Sequence, residues 1–359
     1  MKYMLKNKIK NLLDIYKSRG YDGEIKYEKY LDVLSLSTEE IELIKSKWHF
    51  ITPRIKDGYR AFKIYKTIHG FNVNYIPACY YFPFITSVLN NPKYIASLSH
   101  KGMMPISFDG ITQPHIIVNS INGVILDDNQ KVVHPKHVID ILKQQSGKMI
   151  IKPSTETSSG KGVKVIYPDV ESKELETILN QYKKDFVIQK FVDQSDFTKR
   201  YNPTSLQTIR VNTLLLNGKL TVECVVMRIG GLNSVVDNMG AGGFMVGVNK
   251  DGSLKNVGYS LDGKMYYQSN NTQLNGAYIP NYDNIKTLAL KAHMRIPCCS
   301  LVGWDIALDK NNNPVLIEAN LSNPSCFGVQ LCGNPFFGDR TDEVIDYVRN
   351  NNSDFKLFL

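Results

Sequence analysis

VGWDIALDKNNNPVLIEANLSNPS, residues Val302 to Ser325, carries two short apolar runs, at 306–308 and 315–317, on either side of Asp309-Lys-Asn-Asn-Asn-Pro. It therefore reads as two antiparallel strands joined by a turn. Asp305 opens the first strand in this reading and Glu318 closes the second, which sets the two carboxylates side by side at one end of a hairpin. Residues i and i+2 of a strand share a face, so Asn320 stands beside Glu318. Two carboxylates and one amide carbonyl, with no Cys or His, form a hard oxygen set suited to Mg²⁺, an ion that keeps waters and completes its shell with phosphate oxygens.

Around this hairpin lies a chain of 359 residues, 43% of them hydrophobic, long enough for one large or two ordinary domains with a real core. The formal net charge of +9 is spread over scattered lysines without an Arg-rich block. That pattern argues against nucleic acid as a partner and for a positive field that gathers anionic substrates. The six cysteines include no C-x-x-C pair, and adjacent Cys298-Cys299 does not suit zinc, so free thiols in a reducing cytoplasm are expected. The first residues, MKYMLKNKIKNLLDIYKSRG, have charges every few positions and lack the apolar core of a signal peptide. The longest apolar stretch, Ile76 to Leu89, is too short to span a membrane and is interrupted by Pro83. The expectation is a soluble, cytoplasmic chain with no transmembrane segment.

Residues 1–95 read as helical. Met4, Leu5, Ile9, Leu12, Leu13 and Tyr16 recur at helical spacing, predicting an amphipathic first helix docked on the protein's own core. Ser37-Thr-Glu-Glu40 is a capping-box start to a helix running toward Lys47. A further helix is expected from Arg60 to Ile68, ended by Gly70, and the aromatic run Tyr75 to Phe84 reads as core or as a substrate-facing surface. From residue 96 strands begin: a hairpin of Ile116–Val118 and Gly123–Leu126 around Asn119 to Asn122, then a helix from Pro135 to Gln145. Next comes Met149-Ile-Ile-Lys-Pro-Ser-Thr-Glu-Thr-Ser-Ser-Gly-Lys-Gly-Val-Lys-Val-Ile166. Two apolar runs flank a loop of hydroxyl, glycine and lysine residues, which is what a phosphate cradle requires: backbone N–H groups that can approach closely, plus cations. It is not a Walker A loop, because Gly162 rather than Ser or Thr follows Gly160-Lys161.

A Lys-Pro step ending a strand, a Ser-Ser-Gly loop, a return strand and a distant D-x12-E-x-N together resemble the ATP-grasp superfamily, with the D-alanine:D-alanine ligase group as an easy comparison. The resemblance covers Lys101 to Pro324. It implies that Lys152 contacts the α- and β-phosphates of ATP and that Ser158, Ser159, Gly160, Lys161 and Gly162 form the loop closing over them. Val187-Ile-Gln-Lys-Phe-Val192 matches the hinge strand, where Lys190, Phe191 and Val192 would present main-chain groups to adenine, and Gln189 stands where the family usually has Glu. Asp196 takes the place of the ribose-binding acid, with Asp193 as its competitor. Lys101 lies at about the distance of the family's first phosphate lysine. Asp305, Glu318 and Asn320 would hold the metal, with Glu318 bridging two Mg²⁺ ions.

Thr208-Ile-Arg-Val211 puts Arg210 on a strand directed into the cleft, and Arg228 ends a second strand, Val222 to Ile229. D-alanine ligases carry Arg two residues before the metal-binding Asp. This chain has Gly303 there, so the transition-state cation must come from elsewhere, Arg210 and Arg228 being the candidates. Val236 to Gly243 is too glycine-rich for a core strand and reads as a loop over the site.

The helical leader, the T-I-R strand, R-x-G-G followed by V-D-N-x-x-x-G-G, and G-W-D-I-A before E-A-N are similar to the sugar-transfer associated ATP-grasp proteins. The resemblance implies an α/β ATP-grasp fold with a helical N-terminal extension, divided into a helical region (1–95), a linking part (96–147), a small subdomain with the Lys-Pro strand and phosphate loop (148–192) and a large subdomain with the metal hairpin (193–359). It implies an ADP-forming ligase that passes the γ-phosphoryl to a carboxylate and lets an amine attack, the acceptor being sugar-linked and destined for cell-surface polysaccharide. A small-molecule kinase and a nucleotide-binding module without catalysis remain the alternatives.

Overall fold

The computed structural model describes residues 32–49, 55–155, 162–182, 184–232, 234, 237–322, 324 and 326–351. The amphipathic helix expected from Met4 to Tyr16 and the loop residues Ser158, Ser159, Gly160 and Lys161 lie outside them. Two helices come first, α1 (Thr38–Trp48) and α2 (Tyr59–His69). The capping box holds: the Ser37 hydroxyl accepts from the Glu40 amide while the Glu40 carboxylate accepts from the Ser37 amide. Gly70, at φ +86°, ends α2.

A five-stranded antiparallel sheet follows, built from β1 (Ile116–Ile121), β2 (Val124–Asp127), β3 (Met149–Pro153), β4 (Lys164–Ile166) and β5 (Phe186–Lys190) in the order β2-β1-β5-β3-β4. The β1–β2 turn is tighter than the Asn119 to Asn122 span that the sequence suggested. Asn119 lies in mid-strand, and the chain reverses at Asn122-Gly123, whose φ values of 50° and 86° suit a two-residue hairpin. One face packs Val118, Met149, Ile151 and Ile188 against Leu142 of α3 (Val138–Lys143) and Leu175 of α4 (Ser172–Asn180). The alternate residues Asn119, Val187 and Lys152 line up across three strands on the other face.

The larger sheet contains β6 (Thr208–Leu216), β7 (Lys219–Ile229), β8 (Phe244–Val248), β9 (Leu254–Tyr259) and β10 (Met265–Tyr266). A small ribbon of β11 (Gln268–Ser269) and β12 (Thr272–Gln273) and the helix α5 (Tyr282–His293) precede β13 (Leu301–Leu308) and β14 (Pro314–Asn320). The order β10-β9-β8-β7-β6-β13-β14 is antiparallel throughout. The predicted hairpin is β13–β14, with Asp309 Oδ1 accepting from the Asn311 and Asn313 amides to close its turn.

Ile209, Val211, Trp304 and Ile306 face α5 through Ile285 and Ala289. The opposite face, through Leu214, Val226 and Leu301, shares a core with Trp48, Phe62, Tyr65, Tyr80 and Tyr81. The same core includes Phe327 of α6 (Phe327–Leu331) and Val344 of α7 (Thr341–Asn351). The helices before residue 95 are thus fused to the large sheet: buried Gln330 of α6 accepts from the Ile76 amide and donates to the Ile76 carbonyl and the Tyr65 hydroxyl. Among the described residues no helix is long and apolar enough to cross a membrane, and all six cysteines are free.

Candidate active site

Asp305 does not open its strand. It is the fifth residue of β13, directly opposite Glu318 on one side and Arg210 on the other, with the ladder slipping just after it. Residues directly opposed in an antiparallel pair share a face, so Arg210, Asp305 and Glu318 form one row across three strands. Arg228, two residues beyond the partner of Arg210 on β7, extends the row at one end, and Asn320 widens it at the other.

Asp305 is the hub. Arg210 clamps it with two bonds, Nε to Oδ1 at 2.6 Å and Nη2 to Oδ2 at 3.0 Å. Arg228 Nη1 reaches Oδ2 at 2.8 Å and Asn320 Nδ2 reaches it at 3.1 Å. Burial pushes the Asp305 carboxyl up, but the Arg210 and Arg228 guanidiniums outweigh it and hold the group well below the usual carboxylate range. Arg228 is anchored from behind by Asp237, whose carboxylate lies 3.2 Å from Nη2 and also accepts from the Thr208 amide and hydroxyl. Burial raises the Asp237 carboxyl from its ordinary value, against the pull of Arg228. The glycine loop is legible in the sequence, but the role of this acid is not. The only signal was its place in V-D-N, where nothing in sequence marks which way the side chain turns.

The Gly303 position, where D-alanine ligases carry Arg, has no room for a side chain. A Cβ there would meet Pro324 Cβ at 2.9 Å and Arg210 Cδ at 3.3 Å. The guanidinium that the neighbouring strand supplies runs past this glycine.

The small sheet contributes the other wall. Lys152 is buried at the end of β3 and forms no ion pair among the described residues. Burial pulls its ammonium down to about 8, Lys101 adds to the effect and Glu318 opposes it. Lys101 sits on a short turn docked to the small sheet: its amide donates to the Ser154 carbonyl at 3.0 Å, and Asn119 Nδ2 donates to the Gly102 carbonyl at 3.1 Å. Its ammonium crosses to the large sheet and meets Glu318 Oε1 at 2.9 Å. The two walls therefore touch at Lys101 and Glu318, which the sequence had placed in separate roles.

At the hinge the Lys190 amide is bound to the His115 carbonyl at 2.9 Å and the Phe191 amide to the Lys148 carbonyl at 3.3 Å. Of the three main-chain amides from Lys190 to Val192, only that of Val192 lacks a protein partner among the described residues. Gln189 is buried, one strand across from Ile150. Asp196 starts a helical turn capped by Ser195, and both Asp196 and Asp193 are exposed. Gly162, at φ +77°, ends the loop against Pro153, and Tyr182 holds its carbonyl at 2.7 Å.

The donor chemistry of the row fits a magnesium ion. Asp305 Oδ1 accepts one bond and keeps a lone pair, Glu318 has a second oxygen beyond the one paired with Lys101, and Asn320 donates through Nδ2, leaving its carbonyl oxygen unclaimed. Among the described residues no group of three His, Cys, Asp or Glu side chains gathers in metal-holding geometry.

A family model described as sugar-transfer associated ATP-grasp matches residues 88–344. No curated protein matches the chain. Among solved structures it is similar to a D-alanine-D-alanine ligase from Helicobacter pylori (12% identity, 73% of this chain and 60% of the ligase, TM-score 0.40). It is also similar to the VanG D-Ala:D-Ser ligase from Enterococcus faecalis (13%, 70% and 62%, 0.41) and to a D-alanyl-alanine synthetase A from Vibrio cholerae (15%, 71% and 65%, 0.43). The matched part spans less than two thirds of the length of each of these three proteins.

Proposed function

Because the chain belongs to the sugar-transfer associated ATP-grasp family, we propose that it is an ADP-forming ligase that activates a carboxylate with ATP and joins it to an amine on a sugar-linked acceptor for cell-surface polysaccharide. The observation that carries this reading is the row Arg228–Arg210–Asp305–Glu318–Asn320, linked through Lys101 to the wall that holds Lys152. Lys152 and Lys101 supply two cations for phosphate oxygens. The hinge offers the Val192 amide to adenine. Arg210 and Arg228, held in fixed orientation by Asp305 and Asp237, present guanidinium edges where charge develops as the γ-phosphoryl leaves ADP for the carboxylate oxygen. Mg²⁺ held by Asp305, Glu318 and Asn320 would neutralise phosphate charge during that transfer. The amine then attacks the acyl carbon, a C–N bond forms, and inorganic phosphate departs with the C–O electron pair.

Hydroxylamine intercepts an acyl phosphate. Incubation with ATP, Mg²⁺ and a panel of amino and uronic acids is expected to yield a hydroxamate and ADP in equal amounts with the correct acid, and neither with Glu318→Gln. ADP with a stable phosphoester and no hydroxamate would make the protein a kinase, and release of neither would make it a binding module.

A further inference from the structure

We propose that the cavity where β8 parts from β7 is a second anion site, outside the nucleotide cleft, taking a small molecule that carries a phosphate group. The β7–β8 ladder spans only Val226 to Ile229 on β7 and Phe244 to Gly247 on β8. Beyond it β8 turns toward β9 while the rest of β7 keeps only β6 as a neighbour. The gap is a cavity of about 510 Å³, within the range that small-molecule sites occupy. None of Lys101, Lys152, Asp305 or Glu318 lines it.

Three lysines line it from three elements: Lys250 from the turn after β8, Lys255 from β9 and Lys286 from α5. Lys286 is neutralised by Asp283 at 2.8 Å, and the cavity's one carboxylate, Glu223, lies 3.4 Å from Arg340. Lys250 and Lys255 are left without an acidic partner among the described residues. Lys255 is half-buried, and its Nζ donates only to the Cys332 carbonyl, at 2.7 Å. Burial lowers its ammonium from the ordinary value. Lys255, partly withdrawn from water with no acid paired to it and with the exposed Lys250 lining the same cavity, is held unfavourably until a counter-ion enters. Val222, Val248 and the Tyr282 ring offer an apolar wall for the rest of such a ligand.

The test is calorimetric titration of the full chain with inorganic phosphate and with glucose 1-phosphate, alongside thermal melts. Both titrations are repeated with the nucleotide cleft filled by a non-hydrolysable ATP analogue, where undiminished affinity for the probe is expected and separates this site from the cleft. Lys255→Met, which keeps the apolar stem, should weaken binding about tenfold, the loss of one ion pair's worth of affinity. Lys250→Gln, at an exposed position that leaves the fold intact, should weaken it in the same direction and keeps the test valid if Lys255→Met does not fold. Equal affinity for the two ligands assigns recognition to the phosphate alone, and tighter sugar phosphate assigns the apolar wall a share. Unaltered binding in both lysine variants, loss of probe binding once the nucleotide cleft is filled, or no binding of either probe would overturn the proposal.

Discussion

The two walls of the candidate site solve the problem of buried charge in opposite ways. On the large sheet every buried charge arrives with its partner: Asp305 with Arg210 and Arg228, Arg228 with Asp237. The row is neutralised internally before any ligand comes. On the small sheet Lys152 is buried without an acid of its own, and its ammonium falls to about 8. One wall is a set of fixed dipoles and charges, suited to a transition state that must not wait for reorganisation. The other is a cation short of a counter-ion, suited to capturing a phosphate.

Removing the hub should break this contrast most severely. Asp305→Ala leaves two buried guanidiniums facing each other and is expected to lower stability by about 3–5 kcal/mol, read as a drop in denaturant midpoint. Asp305 variants are for this reason poor probes of chemistry.

Glu318 is the better probe, since its side chain is 35% exposed and its loss unpairs one ammonium, Lys101, where loss of Asp305 strips two guanidiniums. Glu318→Gln is expected to reduce turnover by at least ~100-fold, about 3 kcal/mol of charge stabilisation, with little change in melting temperature. Undiminished turnover at saturating Mg²⁺ would remove the hairpin from the metal site.

Lys152→Met should do the reverse of Asp305→Ala. Affinity for a non-hydrolysable ATP analogue should fall about tenfold or more, the scale of a charge-assisted contact, while stability holds or rises because a lone buried ammonium is removed. The pH dependence carries the same sign. With the folded group at about 8 and the ordinary value at 10.5, the unfolded chain binds the extra proton between them, so the Lys152 contribution to stability increases with pH across that window. Nucleotide affinity should move the other way, declining as pH passes about 8. Calorimetry on both sides of that value checks it, and a flat profile would mean that Lys152 does not meet phosphate.

The smallest effect is expected at the bridge between the walls. Lys101→Met removes the ion pair to a partly exposed Glu318 and should alter stability by less than ~1 kcal/mol, while weakening the ATP analogue. A larger stability loss would show the bridge to be structural.

The parts legible in the sequence were those whose physics is local. The β13–β14 hairpin announced itself through two apolar runs about an Asp-Asn-Pro turn, β3 and β4 through apolar runs about a glycine loop, and α1 through Ser37 and Glu40. The shared face of Glu318 and Asn320 followed from strand periodicity. The β1–β2 turn was expected over Asn119 to Asn122, too wide at its start, because Asn119 is a good turn former. What it does instead, donating to the Gly102 carbonyl from mid-strand, depends on a segment 17 residues away.

Sequence by itself determined the strands, their order of motifs and the residue types available for phosphate and metal, because each rests on neighbours within a turn or a strand. Tertiary structure alone decided how those residues meet. Arg210 and Arg228 reach Asp305 across 95 and 77 residues, through strand registers that no local pattern specifies. Asp237, in the glycine loop, locks Arg228, and a side chain at Gly303 would meet Arg210 and Pro324. Charge is legible residue by residue. Its compensation is a property of the packed sheet, where burial makes each unpaired group costly and geometry selects the partner.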